Sequence, residues 1–424
     1  MEISKLYDYF LAQPEVCTDT RKITKGCIFF ALKGPNFNGN RFAQQALEKG
    51  AALAVVDEVE FAQPPNTFLV EDSLKALQQL AQHHRKQFNI PVIGLTGSNG
   101  KTTTKELIAS VLSKKFETLA TLGNLNNHIG VPLTLLRITT KTEIAIIEMG
   151  ANHIGEIEFL SNLAQPTHGY ITNFGKAHIE GFGSEEGVVI GKSELYQYLI
   201  KNQGCIFYNG QDKKQADLLE SYSNKLNYGS TADFNCTILN IAAEPFVNLD
   251  YDNHNIQTQL IGRYNANNCA AALLIGSYFK VSTESMVNAL EGYCPTNNRS
   301  QIVEKNGHKI ILDAYNANPS SMEAALENFD KLIAKNKVVF LGDMFELGAI
   351  AEAEHKRIAE MAFSKKINQV YLIGMNFSAA VNSKKAFSDF NAISAYLESN
   401  SLPSSTILIK GSRGMALERL VALL

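Results

Sequence analysis

Residues Pro91–Thr104, PVIGLTGSNGKTTT, restrict the fold of this chain more than any other stretch. Val92, Ile93 and Leu95 form an apolar run suited to a buried strand, and Thr96–Gly100 then brings two glycines and two small polar residues. From Lys101 the period becomes helical, with Leu107, Ile108, Val111 and Leu112 recurring along one face. Strand, glycine turn and helix start make a phosphate cradle. Glycine lets backbone N–H groups converge on phosphate oxygens, and the helix N-terminus adds partial positive charge. Thr96, Gly97, Ser98, Asn99, Gly100, Lys101, Thr102 and Thr103 are the expected phosphate contacts. Lys101 would reach the β- and γ-phosphates, and the Thr102 hydroxyl would hold Mg²⁺. Position 95 is Leu and Gly94 sits one residue early for a strict P-loop. A glycine turn with a solvated lysine is the plainer reading, but it leaves the order of strand, GKT and amphipathic helix unexplained. The expected ligand is a nucleoside triphosphate.

A chain of 424 residues exceeds one ordinary core, so roughly two to four domains are expected. The net charge of −3 supplies no basic excess for a nucleic-acid partner, while small anions remain possible at local sites. Six cysteines, at 17, 27, 205, 236, 269 and 294, show no CxxC pair or zinc spacing and read as buried thiols in a reducing compartment. The opening MEISKLYDYF has no apolar signal core, and the longest apolar runs are too short for a membrane span. A cytoplasmic monomer without membrane insertion is expected.

The fold class is α/β in three domains: a small α/β unit over 1–88, a central P-loop parallel-sheet ATPase domain over 89–298, and a Rossmann-like domain over 299–424. In the first, Cys27–Leu32 and Ala52–Val56 are strand-like, and Phe42–Lys49 and residues 72–88 helical. The loop Thr18-Asp-Thr20-Arg21 fits a capped turn with an ion pair as well as it fits a ligand site. In the second, Ile144–Ile147 is a buried-strand pattern ending on Glu148, and Gly169–Thr172 a strand followed by Asn173…His178. Ligands gather beyond the carboxyl ends of strands in open α/β sheets, which makes Glu148 a candidate magnesium carboxylate and His178 a candidate ligand. Asn126 and Asn127 lie in an asparagine-rich loop, Gly123–Pro132. Residues 204–260 read as a strand meander appended to the sheet. Gly262–Asn268 then opens a helix, Cys269–Tyr278, whose polar head suits a base or ribose, although capping accounts for part of that run. In the third, strands at Ile310–Asp313, Val338–Leu341, Val370–Ile373 and Thr406–Ile409 each end in polar punctuation, without a GxGxxG signature.

Together these motifs resemble the Mur ligase family of peptidoglycan synthesis, over nearly the whole chain. The resemblance implies that Thr96–Thr103 is the ATP loop and that Thr102, Glu148 and His178 hold Mg²⁺. Lys192, in Gly191-Lys-Ser-Glu-Leu195, is similar to the family's carbamylated lysine, which needs CO₂. Lys101, Glu148, His178 and Lys192 are the implied catalytic residues. Asn265 and Asn268 resemble the adenine-side motif, and Arg299 and Asp313 the third-domain nucleotide contacts. Asp19-Thr20-Arg21, with Gly34 and Asn38-Gly39, resembles the uridine-nucleotide loops, so Thr20, Arg21 and Asn38 are implied substrate contacts. Within the family, four stretches resemble the branch that adds D-alanyl-D-alanine: Asn124–Asn127, Asp313–Met322, Leu341–Gly348 and Lys410–Arg413. The implied partners are UDP-N-acetylmuramoyl-tripeptide and D-alanyl-D-alanine. Asn126, Asn127, Tyr315, Asn316, Asn318, Lys410 and Arg413 are the remaining implied substrate contacts. The implied chemistry is phosphorylation of a carboxylate by ATP, followed by displacement of phosphate by an amine.

Three positions depart from the family's usual pattern. Asn38-Gly-Asn40 stands for Asp-Gly-His, Tyr264 for the histidine before Asn265, and Pro295-Thr-Asn-Asn298 precedes Arg299 where a glycine is usual. Two competitors share the fold: the adder of the third amino acid, which usually carries an Asp-Asn-Pro-Arg-like stretch missing here, and a folylpolyglutamate synthetase. A P-loop switch or motor is the competitor of another class, and the Asn-Lys-x-Asp guanine signature does not occur.

Overall fold

Apolar runs that would be exposed on one face of an open sheet are buried on both faces here, because helices cover the sheets on each side. A computed structural model describes residues 2–243 and 245–424. The first unit is a four-stranded parallel sheet in the order Val16–Cys17, Ile28–Phe30, Leu53–Val56, Thr67–Leu69. Helices Glu2–Ala12, Ala43–Glu48 and Ser73–Arg85 accompany it.

The central sheet has seven strands, and Val92–Thr96 lies between His168–Ile171 and Ile144–Glu148. The winding changes direction at this strand, so the loops after all three open into one crevice. The sheet continues outward through Cys205–Asn209, Lys225–Gly229 and Cys236–Thr237, all parallel. This corrects the expected meander over 204–260. The helix Lys213–Leu218, capped by Asp212, carries the chain back for a parallel return, and Ile206 and Phe207 are fully buried. Only Leu239–Ala243, Phe246–Tyr251 and His254–Ile261 pair as an antiparallel sheet.

The third unit is a six-stranded sheet. Its last strand, Thr406–Lys410, inserts between His308–Asp313 and Lys337–Gly342. The four expected strands are present. An antiparallel edge, Gln301–Lys305, is added through a tight turn at Asn306-Gly307, both at positive φ.

The first and central units share one core, in which Leu6, Phe10, Leu77 and Leu80 join a cluster with Val131, Leu135 and Ile147. Arg85 fastens the same seam. Its guanidinium donates to the carbonyls of Ala164 (3.0 Å), Gln165 (3.1 Å) and Phe88 (2.6 Å), and the residue is buried. The third unit meets the central one through polar contacts, including Asn318 to Asn99 at 2.7 Å and the Lys176 N–H to Ser320 Oγ at 3.0 Å, and through Ile261 and Phe246, which pack into its core. Four of the cysteines are buried as expected, but Cys17 is half-buried and Cys294 exposed; all six are free thiols. Among the described residues no helix is long and apolar enough to cross a membrane.

Arg85→Ala should lower stability by about 3 kcal/mol, because it strips three carbonyls of a charged donor in a buried seam. The shift of the urea midpoint checks this, and an unchanged midpoint contradicts it.

Candidate active site

The loop after Val92–Thr96 is held open by its neighbour strand. Ser98 N–H donates to Asn173 O at 3.0 Å, and Ser98 Oγ to Gly175 O at 2.9 Å. Asn99 N–H donates to Asn173 Oδ1 at 3.1 Å, while Thr172 Oγ1 donates to Asn99 O at 2.6 Å. Gly97 and Gly100 take φ of 137° and 80°, and a Cβ at Gly97 would lie 2.0 Å from Thr172 Oγ1. Only glycine fits there. Helix Lys101–Leu112 starts with no side-chain cap, so its first N–H groups face the loop. Lys101 Nζ donates to Gly97 O at 2.6 Å. Burial draws its ammonium below the ordinary lysine pKa, against the opposing pull of Glu148.

Glu148, only 1% exposed, ends the adjacent strand. Its Oε1 accepts from Thr102 Oγ1 at 3.2 Å and Asn126 Nδ2 at 2.8 Å. Its Oε2 has no hydrogen-bond partner, and the ammonium of Lys105 lies 3.8 Å from it. A buried carboxylate oxygen left without a donor, next to a hydroxyl and a phosphate loop, fits a magnesium ion. Among the described residues no three His, Cys, Asp or Glu side chains cluster as a metal cage. Magnesium bound through one or two carboxylates, phosphate oxygens and water needs none. His178 lines the same cavity, and its Nδ1 is hydrogen-bonded to Glu346 of the third unit.

The cavity, of about 660 Å³, is lined from both units. The central unit supplies Ser98–Thr103, Asn126, Asn127, Glu148, His178, Asn265 and Asn268; the third supplies Arg299, Asp313, Tyr315, Asn316, Asn318 and Lys410. Asn265 and Asn268 lie on the buried side of helix Tyr264–Tyr278, which starts five residues earlier than expected. Asn268 accepts from Thr104 Oγ1 at 2.9 Å and donates to Asn265 at 2.7 Å, so it ties that helix to the phosphate-loop helix. Arg299 stacks on Tyr315, with its guanidinium carbon 3.7 Å from the ring centroid and its Nε buried without a partner. Asp313 accepts from the Ser300 N–H and from Lys410 Nζ at 2.5 Å. Asn127 Oδ1 also accepts the Gly130 N–H at 2.9 Å, and Asn318 caps the helix Pro319–Lys331.

Other expected residues lie off this cavity. Arg413 pairs with Glu418 at 2.8 Å. Thr96 is buried behind the loop, at the end of its strand. Lys192 is fully buried on helix Glu185–Lys201, where its Nζ donates to Ala151 O at 2.8 Å beside the Phe182 ring. It is not the surface lysine that its local sequence suggests. Burial, then the charge of Lys101, holds it well below the ordinary lysine pKa. In the first unit, Arg21 is exposed and clasps Asp19, whose carboxyl is held at about 2 mainly by that side-chain hydrogen bond. Thr20 O accepts from Lys49. Asn38 caps Gly39–Phe42 and donates to both oxygens of Glu58.

The architecture and the site meet in known proteins. A family model described as the Mur ligase middle domain matches residues 95–276. One described as the glutamate ligase domain of Mur ligases matches 298–413, and the Mur ligase catalytic-domain model matches 15–85. The chain belongs to the Mur ligase family. The UDP-N-acetylmuramoyl-tripeptide–D-alanyl-D-alanine ligase of Bacillus subtilis (strain 168) is 36% identical over 421 residues, 96% of this chain and 92% of that protein. The Escherichia coli (strain K12) protein of the same name is 34% identical over 420 residues, with the same coverage of 96% and 92%. A crystal structure of MurF from Acinetobacter baumannii superposes with a TM-score of 0.86 at 32% identity, over 96% of this chain and 92% of that one. MurF ligase from Thermotoga maritima, solved in complex with ADP, gives 0.84 at 26% identity over 97% of each chain.

Two residues of this Mur ligase site escape a reading of motifs. Lys105 had a local signal, since it sits one helical turn beyond Lys101 in the stripe that continues through Ile108 and Leu112 and is 2% exposed. Glu346 lies in the Leu341–Gly348 stretch, but nothing local points to its partner His178, 168 residues away.

Gly97→Ala should weaken ADP binding by at least about tenfold, or ~1.4 kcal/mol, because the added methyl collides with Thr172. Calorimetry with ADP tests this, and wild-type affinity in the variant contradicts it.

Proposed function

We propose that this Mur ligase uses ATP to join D-alanyl-D-alanine to UDP-N-acetylmuramoyl-tripeptide, forming a peptide bond in cytoplasmic peptidoglycan-precursor synthesis. The observation that carries this reading is the single cavity lined by the phosphate loop on one side and by third-domain strand ends on the other. A switch needs only the first wall, whereas a ligase must bring nucleotide, acyl group and amine together. Full-length similarity to D-alanyl-D-alanine ligases supports the choice of amine over the third-amino-acid adder or a folylpolyglutamate synthetase.

The tripeptide carboxylate attacks the γ-phosphorus and ADP leaves, giving an acyl phosphate. The amine of D-alanyl-D-alanine then attacks the acyl carbon; phosphate departs and the amine proton passes to base. Phosphoryl transfer of this kind needs chiefly positioning and charge neutralisation. Gly97–Gly100 and the helix start cradle the phosphates, and Lys101 exchanges its loop carbonyls for phosphate oxygens. Thr102, Glu148 and His178 would hold Mg²⁺, which supplies charge neutralisation on the phosphates. Asn265 and Asn268 border the adenine side, and Arg299, fixed flat on Tyr315, presents its Nε to the nucleotide. Asn316, Asn318 and Lys410 offer amides and a cation to the dipeptide and its terminal carboxylate. The uridine end would meet residues 1–88, the nucleotide residues 89–298 together with Arg299 and Asp313, and the amine the remaining strand ends of 299–424.

Lys192 completes the reading as a carbamate. Its neutral amine attacks CO₂ and releases a proton, which turns a buried amine into an anion able to accept a metal bond. The depressed pKa favours the neutral amine this step requires. Lys192→Ala should be nearly inactive and partly restored by acetate. An active variant, or one that acetate does not restore, contradicts the carbamate.

In a phosphate-release assay, turnover should need the UDP-tripeptide and D-alanyl-D-alanine together. Free diaminopimelate or lysine supporting turnover better than the dipeptide would overturn the assignment of the amine. Lys101→Ala should retain less than about a tenth of wild-type kcat, a loss above ~1.4 kcal/mol. A more active variant would remove Lys101 from the phosphate site.

A further inference from the structure

Glu346 follows the third-domain strand Lys337–Gly342, and its carboxylate accepts a hydrogen bond from Nδ1 of His178 in the central domain. Both residues hold left-handed backbone, at φ of 61° and 54°. Side chains other than glycine rarely adopt that conformation, and it persists only where the surroundings enforce it. The surroundings do so here. The Met344 N–H donates to His355 Nε2 at 3.0 Å, and the Phe345 N–H to Ser412 Oγ at 3.0 Å. The Asp343 carboxylate accepts the N–H groups of Asn376 and Phe377, both at 2.9 Å. From the other side, the Glu180 N–H donates to Glu346 O at 3.3 Å. The backbone that carries the half-exposed carboxylate is thus held in place, and the carboxylate meets His178 when the third domain rests on the central one.

The ring it meets is partly occupied. Nδ1 of His178 bonds Glu346, Nε2 bonds no described residue, and the ring lines the cavity. Donation from Nδ1 fixes the tautomer whose Nε2 lone pair is free, and a carboxylate behind the ring raises its strength as a ligand. A plain interdomain ion pair would need neither feature. Lys176–Glu354, at 3.5 Å across the same boundary, is such a pair and touches no ring.

We propose that Glu346 is a positioning residue for His178: brought in by the third domain, it accepts the Nδ1–H hydrogen bond and keeps Nε2 available to the metal, so that the magnesium site is complete only when the two domains are docked. This rests on the reading of His178 as a metal ligand. Metal affinity then depends on the position of a domain that contributes no metal ligand of its own, which couples closure around the nucleotide to charge neutralisation.

The test uses Mn²⁺ as the probe, counted by electron paramagnetic resonance in the full-length protein loaded with ADP. Wild type is compared with E346A, E346Q, H178A, the double variant E346A/H178A, and E354Q. E346A should weaken Mn²⁺ binding by about tenfold, the lower end of measured losses on removing a ligand's outer partner, while ADP affinity without metal is unchanged. E346Q, whose amide oxygen accepts the same bond, should stay close to wild type and guards against a folding defect in E346A. E354Q should match wild type, and E346A/H178A should be no weaker than H178A. If H178A weakens Mn²⁺ binding and E346A does not, the positioning role is overturned and the reading of His178 stands. If H178A binds Mn²⁺ as wild type does, both fail together. If E346A loses metal-free ADP affinity in equal measure, or E354Q behaves as E346A does, Glu346 is only an interdomain fastener and the proposal is overturned.

Discussion

A carboxylate buried with one oxygen unpartnered is an expensive arrangement, and the central site of this protein is built around one. Glu148 is 1% exposed, and the ammonium of Lys105 stands 3.8 Å from its free oxygen, too far for a good hydrogen bond. Removing an anion from water costs several kcal/mol unless opposing charge and donors compensate. Thr102, Asn126 and Lys105 compensate in part. The remaining demand for positive charge is what supports the proposal of a metal beside the phosphate loop. The sheet order puts Glu148 there, since the strand it ends pairs directly with the strand that feeds the loop.

The two outer domains are attached by different physics. The first shares an apolar core with the central domain and is fastened by the buried Arg85. Among the described residues, the third takes only Ile261 and Phe246 of the central domain into its own core cluster, and several polar contacts join it through residues of the site itself: Asn99 with Asn318, Lys176 with Ser320, His178 with Glu346. Polar interdomain seams separate at little cost compared with apolar ones. The surface between the central and third domains is therefore both the cavity wall and the part of the molecule best suited to open. Such an arrangement suits a reaction whose nucleotide and amine must enter between domains and then be enclosed.

The parts of this design that were legible in the sequence are those with local periods. The phosphate loop announces itself through glycines whose φ and clearance admit nothing else, and each apolar run that ends on a polar residue is a strand reaching the crevice. Asn306-Gly307 is equally legible as a hairpin turn, whereas the strand it joins, Gln301–Lys305, carries only a weak apolar alternation. The parallel order over 205–237 is hidden in the sequence, because short strands look alike whether they return antiparallel or through a six-residue helix such as Lys213–Leu218. The unusual residues before Arg299 have a structural explanation. Asn298 and Ser300 take φ of 58° and 51° on either side of the arginine, so asparagine supplies the left-handed backbone that glycine usually gives. The pairing of Glu346 with His178 and the burial of Lys192 are not legible in the sequence, because both depend on what another part of the chain brings to them.

The account turns on transfer of phosphate to the tripeptide carboxylate before the amine attacks. Labelling both oxygens of that carboxylate with ¹⁸O and analysing the released phosphate by mass spectrometry tests this directly. The acyl-phosphate route leaves one labelled oxygen in phosphate and the other in the new amide carbonyl. Phosphate carrying no label, with turnover still dependent on both substrates, would contradict it.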